Sequence, residues 1–150
     1  MIKIGLLGTQ SFHAPAFTKL CNLPDEKGNY LFNDVRITAV CGDDDTPEHL
    51  ETVMKDAGIE TSVATKEELA EIVDAVMILH RKGSIHLESA EYFLNKGIPV
   101  WLDKPLCSSK KDADKLKAIV EKTKTLLSGG STLRYDTNAC EAYNYVKSGE

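Results

Sequence analysis

Ile2-Lys3-Ile4-Gly5-Leu6-Leu7-Gly8-Thr9-Gln10-Ser11-Phe12-His13 starts as a short apolar run and is broken by Gly8. The run reads as a buried strand. Behind it Ala14, Phe17, Leu20 and Cys21 recur at helical spacing. A strand, a glycine turn and a helix therefore follow one another in the first 22 residues.

The same alternation runs through the rest of the chain. Asn22 to Asp34, with Pro24, Gly28, Asn29 and Asn33, is turn-rich and reads as a surface excursion. Val35–Cys41 is a second strand, rich in β-branched residues. Thr46 caps a helix with Pro47 at its first position, Leu50, Val53, Met54 and Ala57 on one face, and Gly58 as its stop. Ser62–Ala64 is a short third strand, and Thr65-x-x-Glu68 is a capping box before a short helix. Ala75–Leu79 is a fourth strand. The helix after it carries Leu87, Ala90 and Leu94 and ends at Gly97. Pro99–Leu102 is a fifth strand. Ser109-x-x-Asp112 opens the longest helix, with Ala113, Leu116, Ile119 and Val120 expected on its inner face. Leu126–Leu127 begins a sixth strand that dies at Gly129-Gly130, and Asn138 to Lys147 reads as a last helix. Apolar strands joined by crossover helices predict an α/β fold. The sheet is mostly parallel, doubly wound and Rossmann-like, with about six strands and helices on both faces.

The composition agrees. The chain has 150 residues, enough for one domain with a real core. It is 42% hydrophobic and 27% charged, which excludes a disordered chain. Eighteen basic against twenty-three acidic residues give a net charge of −5, which disfavours nucleic-acid binding. The lysines between Lys110 and Lys124 alternate with Asp112, Asp114 and Glu121, the pattern of a solvated helix face. No apolar run approaches the ~18 residues of a membrane span. The N-terminus has neither a basic leader nor a cleavage site, so no signal peptide is expected. Cys21, Cys41, Cys107 and Cys140 are scattered without C-x-x-C spacing. They read as reduced thiols of a cytoplasmic protein with no metal site, Cys41 as plain core.

In a doubly wound sheet ligands bind beyond the carboxyl ends of the strands. The first loop, read as a G-x-G-x-x-G fingerprint from Gly8, has Gln10 at the second glycine and His13 at the third. A side chain at the second position obstructs pyrophosphate, so a plain strand-to-helix turn is an equal reading. The second strand ends in Gly42-Asp43-Asp44-Asp45. These acids read either as holders of an adenosine ribose, favouring NAD over NADP, or as a solvated acidic turn. They lie farther from Gly8 than the usual ~20 residues, and the 22–34 excursion accounts for the excess.

The stretch Asp74-Ala75-Val76-Met77-Ile78, then His86, then Gly97-Ile98-Pro99-Val100-Trp101-Leu102-Asp103-Lys104-Pro105-Leu106 resembles the glucose–fructose oxidoreductase / inositol dehydrogenase / MocA family. The likeness continues through the helix at 112–124, the Gly-Gly strand end, Arg134, and Tyr143 to Glu150, and covers nearly the whole chain. It implies the N-terminal NAD(P)-binding domain of an oxidoreductase acting on a sugar, a polyol or a related hydroxy compound. Lys104 matches the family lysine between nicotinamide and substrate, and is the implied catalytic residue. Asp103 stands where the family has glutamate, one methylene shorter. The implied cofactor contacts are Gly8, Thr9, Gln10, Ser11, Phe12, Asp43, Asp44, Leu79, His80, His86, Asp103, Lys104, Pro105 and Arg134. The fourth-strand loop, Leu79-His80-Arg81-Lys82-Gly83-Ser84-Ile85-His86, departs from the family's Thr-Pro-x-x-x-His. Its Arg81 and Lys82 read as phosphate-facing or solvated. The family's second domain, with most substrate contacts, a catalytic histidine and the oligomer interface, would follow Glu150. The chain therefore reads as a fragment, inactive alone and oligomeric only with that domain. The competing expectation is a degenerate member that keeps the fold and binds no dinucleotide.

Overall fold

Leu6 and Leu7 are adjacent, both fully buried, and belong to opposite faces of one sheet. In this computed structural model residues 1–149 are described, residues 132 and 133 by backbone alone. The strands are β1 (Ile2–Leu7), β2 (Val35–Cys41), β3 (Thr61–Val63), β4 (Ala75–Ile78), β5 (Val100–Leu102) and β6 (Leu127–Gly129). The helices are α1 (His13–Asn22), α2 (Pro47–Ala57), α3 (Lys66–Ala70), α4 (His86–Asn95), α5 (Lys110–Thr123) and α6 (Thr137–Ser148). A 3-10 turn at Thr132–Tyr135 was not foreseen from the sequence.

All strand pairs are parallel, in the order β3-β2-β1-β4-β5-β6. The order reverses between β1 and β4, so a crevice opens beyond their carboxyl ends. Alternation of side chains divides the core into two clusters. One joins Leu7, Cys41, Ile78 and Leu102 to Leu69, Phe93, Leu94, Leu116 and Ile119 of α3, α4 and α5. The other joins Leu6, Ile37 and Val40 to Ala14 and Cys21 of α1 and Val53 and Ala57 of α2. A leucine or phenylalanine wholly removed from water contributes about 1.5–3 kcal/mol, so both faces must be covered.

The element boundaries shift by one residue at several ends. β3 begins at Thr61 and β4 ends at Ile78, although the Leu79 amide still donates to Leu7 O. β5 begins at Val100 because Pro99 has no N–H to give; its carbonyl accepts from Val76. Leu126 is exposed and precedes β6. Ala113, expected on the inner face of α5, is exposed; that face is carried by Leu116, Ile119 and Val120. The lysine-rich face of α5 is solvated and holds the i,i+4 pairs Lys110–Asp114 and Lys117–Glu121. Of the expected 22–34 excursion, Asn22 ends α1 and residues 23–34 have no regular element. Asn22 ties its start to the core, donating to Ile37 O and Ala57 O and accepting from the Ile37 amide. No helix is long and apolar enough to cross a membrane.

Candidate functional site

Gly8 turns the chain out of β1 at φ 83°, a conformation that favours glycine. Its amide donates to Cys41 O of β2. A Cβ here would lie 2.6 Å from His80 Cδ2 and 2.9 Å from the His80 amide. The loop after β4 thus sits directly on the loop after β1. Gln10 is exposed and keeps a negative φ, so the loop takes this shape without a second glycine.

The acids after β2 fold back onto this loop. Asp44 Oδ1 accepts the Thr9 amide at 2.9 Å and the Gln10 amide at 3.4 Å. Asp45 accepts from the Thr9 hydroxyl at 2.7 Å, from the Thr46 amide and from the His49 ring. Burial would raise the Asp45 carboxyl, but the bonds from His49, Thr9 and Thr46 outweigh it and hold the group below its ordinary range. Asp43 pairs with His80 Nε2 at 2.9 Å. Asp43, Asp44 and His80 place one possible ligand atom each within 4.8 Å of one another. All three residues already serve internal bonds: Asp43 with His80, and Asp44 with the loop amides.

The helix starts differ in a way that marks the crevice. Thr46, Thr65, Ser109 and Asp136 cap α2, α3, α5 and α6 through their side-chain oxygens. The two helices without a side-chain cap are α1 and α4. These follow β1 and β4, the strands at which the order reverses. At α1, Ser11 satisfies the amides of His13 through its hydroxyl and of Ala14 through its carbonyl. The amides of Ser11 and Phe12 have no acceptor among the described residues. An uncapped helix start with free amides is an anion site in waiting.

Beyond β5 lies the other half of the rim. Asp103 is 2% exposed, and its Oδ2 meets His13 Nδ1 at 2.6 Å. Lys104 is exposed, with Nζ 5.3 Å from the ring centre of Phe12, itself 71% exposed. The Lys104–Pro105 peptide is cis, and Pro105 lies against Gly83, where a Cβ would be 2.7 Å from Pro105 Cγ. His13, Asp103, Lys104, Trp101, Gly129 and Tyr135 are among the residues lining a pocket of about 340 Å³ between α1 and the ends of β5 and β6. Gly129 is required there: a Cβ would stand 1.9 Å from Leu102 O.

The sequence-predicted residues thus separate into three groups. Gly8–Phe12, Asp43, Asp44 and His80 meet at the ends of β1, β2 and β4, and Asp103, Lys104 and Pro105 join them through His13, Phe12 and Gly83. Leu79 and His86 are fully buried; His86 Nε2 bonds His80 O and shapes the loop rather than facing a ligand. Arg134 lies apart, lining a groove with Ala139, Cys140, Tyr143 and Asn144. Arg81 and Lys82 are exposed. The His13–Asp103 pair was missed, since His13 read only as a lost glycine.

A family model described as an oxidoreductase family with an NAD-binding Rossmann fold, Gfo/Idh/MocA, matches residues 2–131. No curated protein matches the chain. Among solved structures, scyllo-inositol dehydrogenase of Lactobacillus casei with bound NAD(H) and scyllo-inositol aligns with a TM-score of 0.75 at 21% identity, over 99% of this chain and 42% of that one. Myo-inositol 2-dehydrogenase of Lactobacillus plantarum aligns with a TM-score of 0.73 at 22% identity, over 99% and 41%. An oxidoreductase of Agrobacterium radiobacter in complex with NAD+, L-tartaric acid and magnesium gives 0.75 at 23%, over 99% and 40%. The chain spans about two-fifths of the length of these structures.

Proposed function

Because the chain belongs to the Gfo/Idh/MocA oxidoreductase family, we propose that it is the cofactor-binding domain of a nicotinamide-dependent dehydrogenase acting on a sugar, a polyol or a related hydroxy compound. The observation that carries this reading is the start of α1: two free amides behind Gly8, uncapped, at the point where strand order reverses, with a carboxylate beside them.

These residues fit a dinucleotide. The Ser11 and Phe12 amides and the positive end of α1 suit a pyrophosphate. Asp43 and Asp44 would hold the adenosine ribose hydroxyls and repel a 2′-phosphate, so NAD is preferred over NADP. When bound, the cofactor supplies hydride exchange. Lys104, at the opposite end of the rim, is an exposed cation that can polarise a substrate oxygen and stabilise negative charge on it. Most substrate contacts and any homo-oligomer contacts belong to a second domain in this proposal.

A second reading has its own support. Gln10 stands where the fingerprint has glycine, and Asp44 already occupies the Thr9 and Gln10 amides. A carboxylate there also opposes a second anion, and a domain that keeps the fold without a dinucleotide would look the same. NADH titration separates the two. Trp101, the chain's sole tryptophan, lies beside the proposed nicotinamide end and reports binding by quenching. Saturable quenching by NADH, weaker with NADPH, supports the dehydrogenase reading; none at millimolar NADH supports the other. In the full-length protein Lys104→Ala should abolish oxidation with little loss of folding, because the side chain is exposed.

A further inference from the structure

His80 is 2% exposed, and the cofactor reading gives its ring no task. Three contacts fix it in the crevice. Its carbonyl accepts from Nε2 of fully buried His86 at 2.8 Å. Its ring lies against Gly8, where a Cβ would stand 2.6 Å from Cδ2 and 3.0 Å from Cγ. Its Nε2 meets Oδ1 of Asp43 at 2.9 Å, a contact between residues 37 apart in the chain. A carboxylate has no proton to give, so Nε2 is the donor, and the neutral ring keeps its lone pair on Nδ1. That tautomer suits the surroundings of Nδ1, which is buried with no partner among the described residues. An N–H at that atom would be a sealed donor without an acceptor.

Asp43 is the opposite case. Its side chain is 42% open. Its neighbours Asp44 and Asp45 are committed to the Thr9 and Gln10 amides and to the Thr9 hydroxyl. An open carboxylate left to itself samples several rotamers, and ordering it on binding costs free energy. The bond to an immobile, buried ring selects one rotamer before any ligand arrives. Oδ2 takes no part in that bond.

We propose that His80 is a positioning residue that sets the cofactor selectivity of this crevice by fixing the Asp43 carboxylate. The proposal rests on the cofactor reading above, in which Asp43 accepts from the adenosine ribose hydroxyls. A held carboxylate faces the 2′-phosphate of NADP at close range and cannot turn from it. A released one can. His80 therefore acts largely against the wrong cofactor. Its removal should strengthen NADPH binding relative to NADH, rather than weaken both alike.

Two measurements on the 150-residue chain test this. Long-range 15N–1H spectra of the histidine rings identify the protonated nitrogen. The proposal expects Nε2–H in the neutral ring of His80, and a neutral ring protonated at Nδ1 overturns it. This result is read on the wild-type chain and needs no variant. The second measurement is the ratio of NADH to NADPH affinity, followed by Trp101 quenching, in wild type, His80→Phe, Asp43→Asn and the double variant. His80→Phe keeps a ring and removes the donor; His80→Ala replaces it should that chain not fold. The preference for NADH should fall about tenfold in the single His80 variant. With Asp43→Asn already in place, the same change should alter the preference by less than about twofold, whereas a loss of packing alone would act equally in both backgrounds. A preference that His80→Phe leaves unchanged, or lowers equally in both backgrounds, overturns the proposal and leaves the cofactor reading intact. So does a wild-type chain that binds NADH and NADPH equally. If the wild-type chain binds neither, the cofactor reading fails and takes this proposal with it.

Discussion

Gly8 is the residue on which the two crevice loops meet, and its replacement is the most direct local probe. Gly8→Ala puts a methyl group against His80 in a left-handed conformation, a strain of order 1–3 kcal/mol. Urea unfolding should show that loss, and NADH binding should fall with it. The cysteines give an independent check on burial. Burial pushes the Cys41 thiol up to about 11, with Asp43 adding to it, and burial also raises Cys21. A thiol reagent at neutral pH should therefore modify exposed Cys140 and half-buried Cys107 in the native protein, and Cys21 and Cys41 only after denaturation. Gly8 and the acids were legible in the sequence because glycine and clustered aspartate punctuate strand ends. The His13–Asp103 contact was not. Its partners are 90 residues apart, and only the strand order brings β5 beside the start of α1.

At the scale of elements, Asp45 links the glycine loop to α2 through Thr9, Thr46 and His49. Its carboxyl is held below the ordinary range in the folded chain. The stability it adds is therefore present above the unfolded value near ~3.9 and is lost as pH falls through the lower folded value. Asp45→Asn should cost about 1.5 kcal/mol at pH 7, and the difference should shrink when unfolding is repeated below pH 3. Thr46→Ala removes the cap on the His49 amide and should cost about 1 kcal/mol with no change in NADH binding. The caps at Thr46, Thr65 and Ser109 were all visible as sequence patterns, because capping is local. Strand ends were less so: Pro99 belongs to the apolar run yet cannot donate to the ladder, and Ala113 fits the helical period yet lies outside the strip that α4 covers.

For the whole molecule, the strand–helix rhythm was enough to predict a parallel, doubly wound sheet. Apolar strands such as Ala75–Ile78 must be buried on both faces, and crossovers have a fixed hand. The site is subtler, because its amides, carboxylates and ring nitrogens come from four strand ends and bond one another as readily as they would bond a ligand. On the cofactor reading proposed above, this crevice receives a dinucleotide along Gly8–Phe12 with its adenosine end at Asp43 and Asp44. The most direct measurement is a titration of the 15N-labelled chain with NAD+, followed by amide chemical shifts. Binding as proposed should give saturating shifts confined to residues 8–13, 43–45, 80 and 103–104, largest at Ser11 and Phe12. Amides that stay unmoved at millimolar NAD+, in a chain whose spectrum shows it folded, would contradict it.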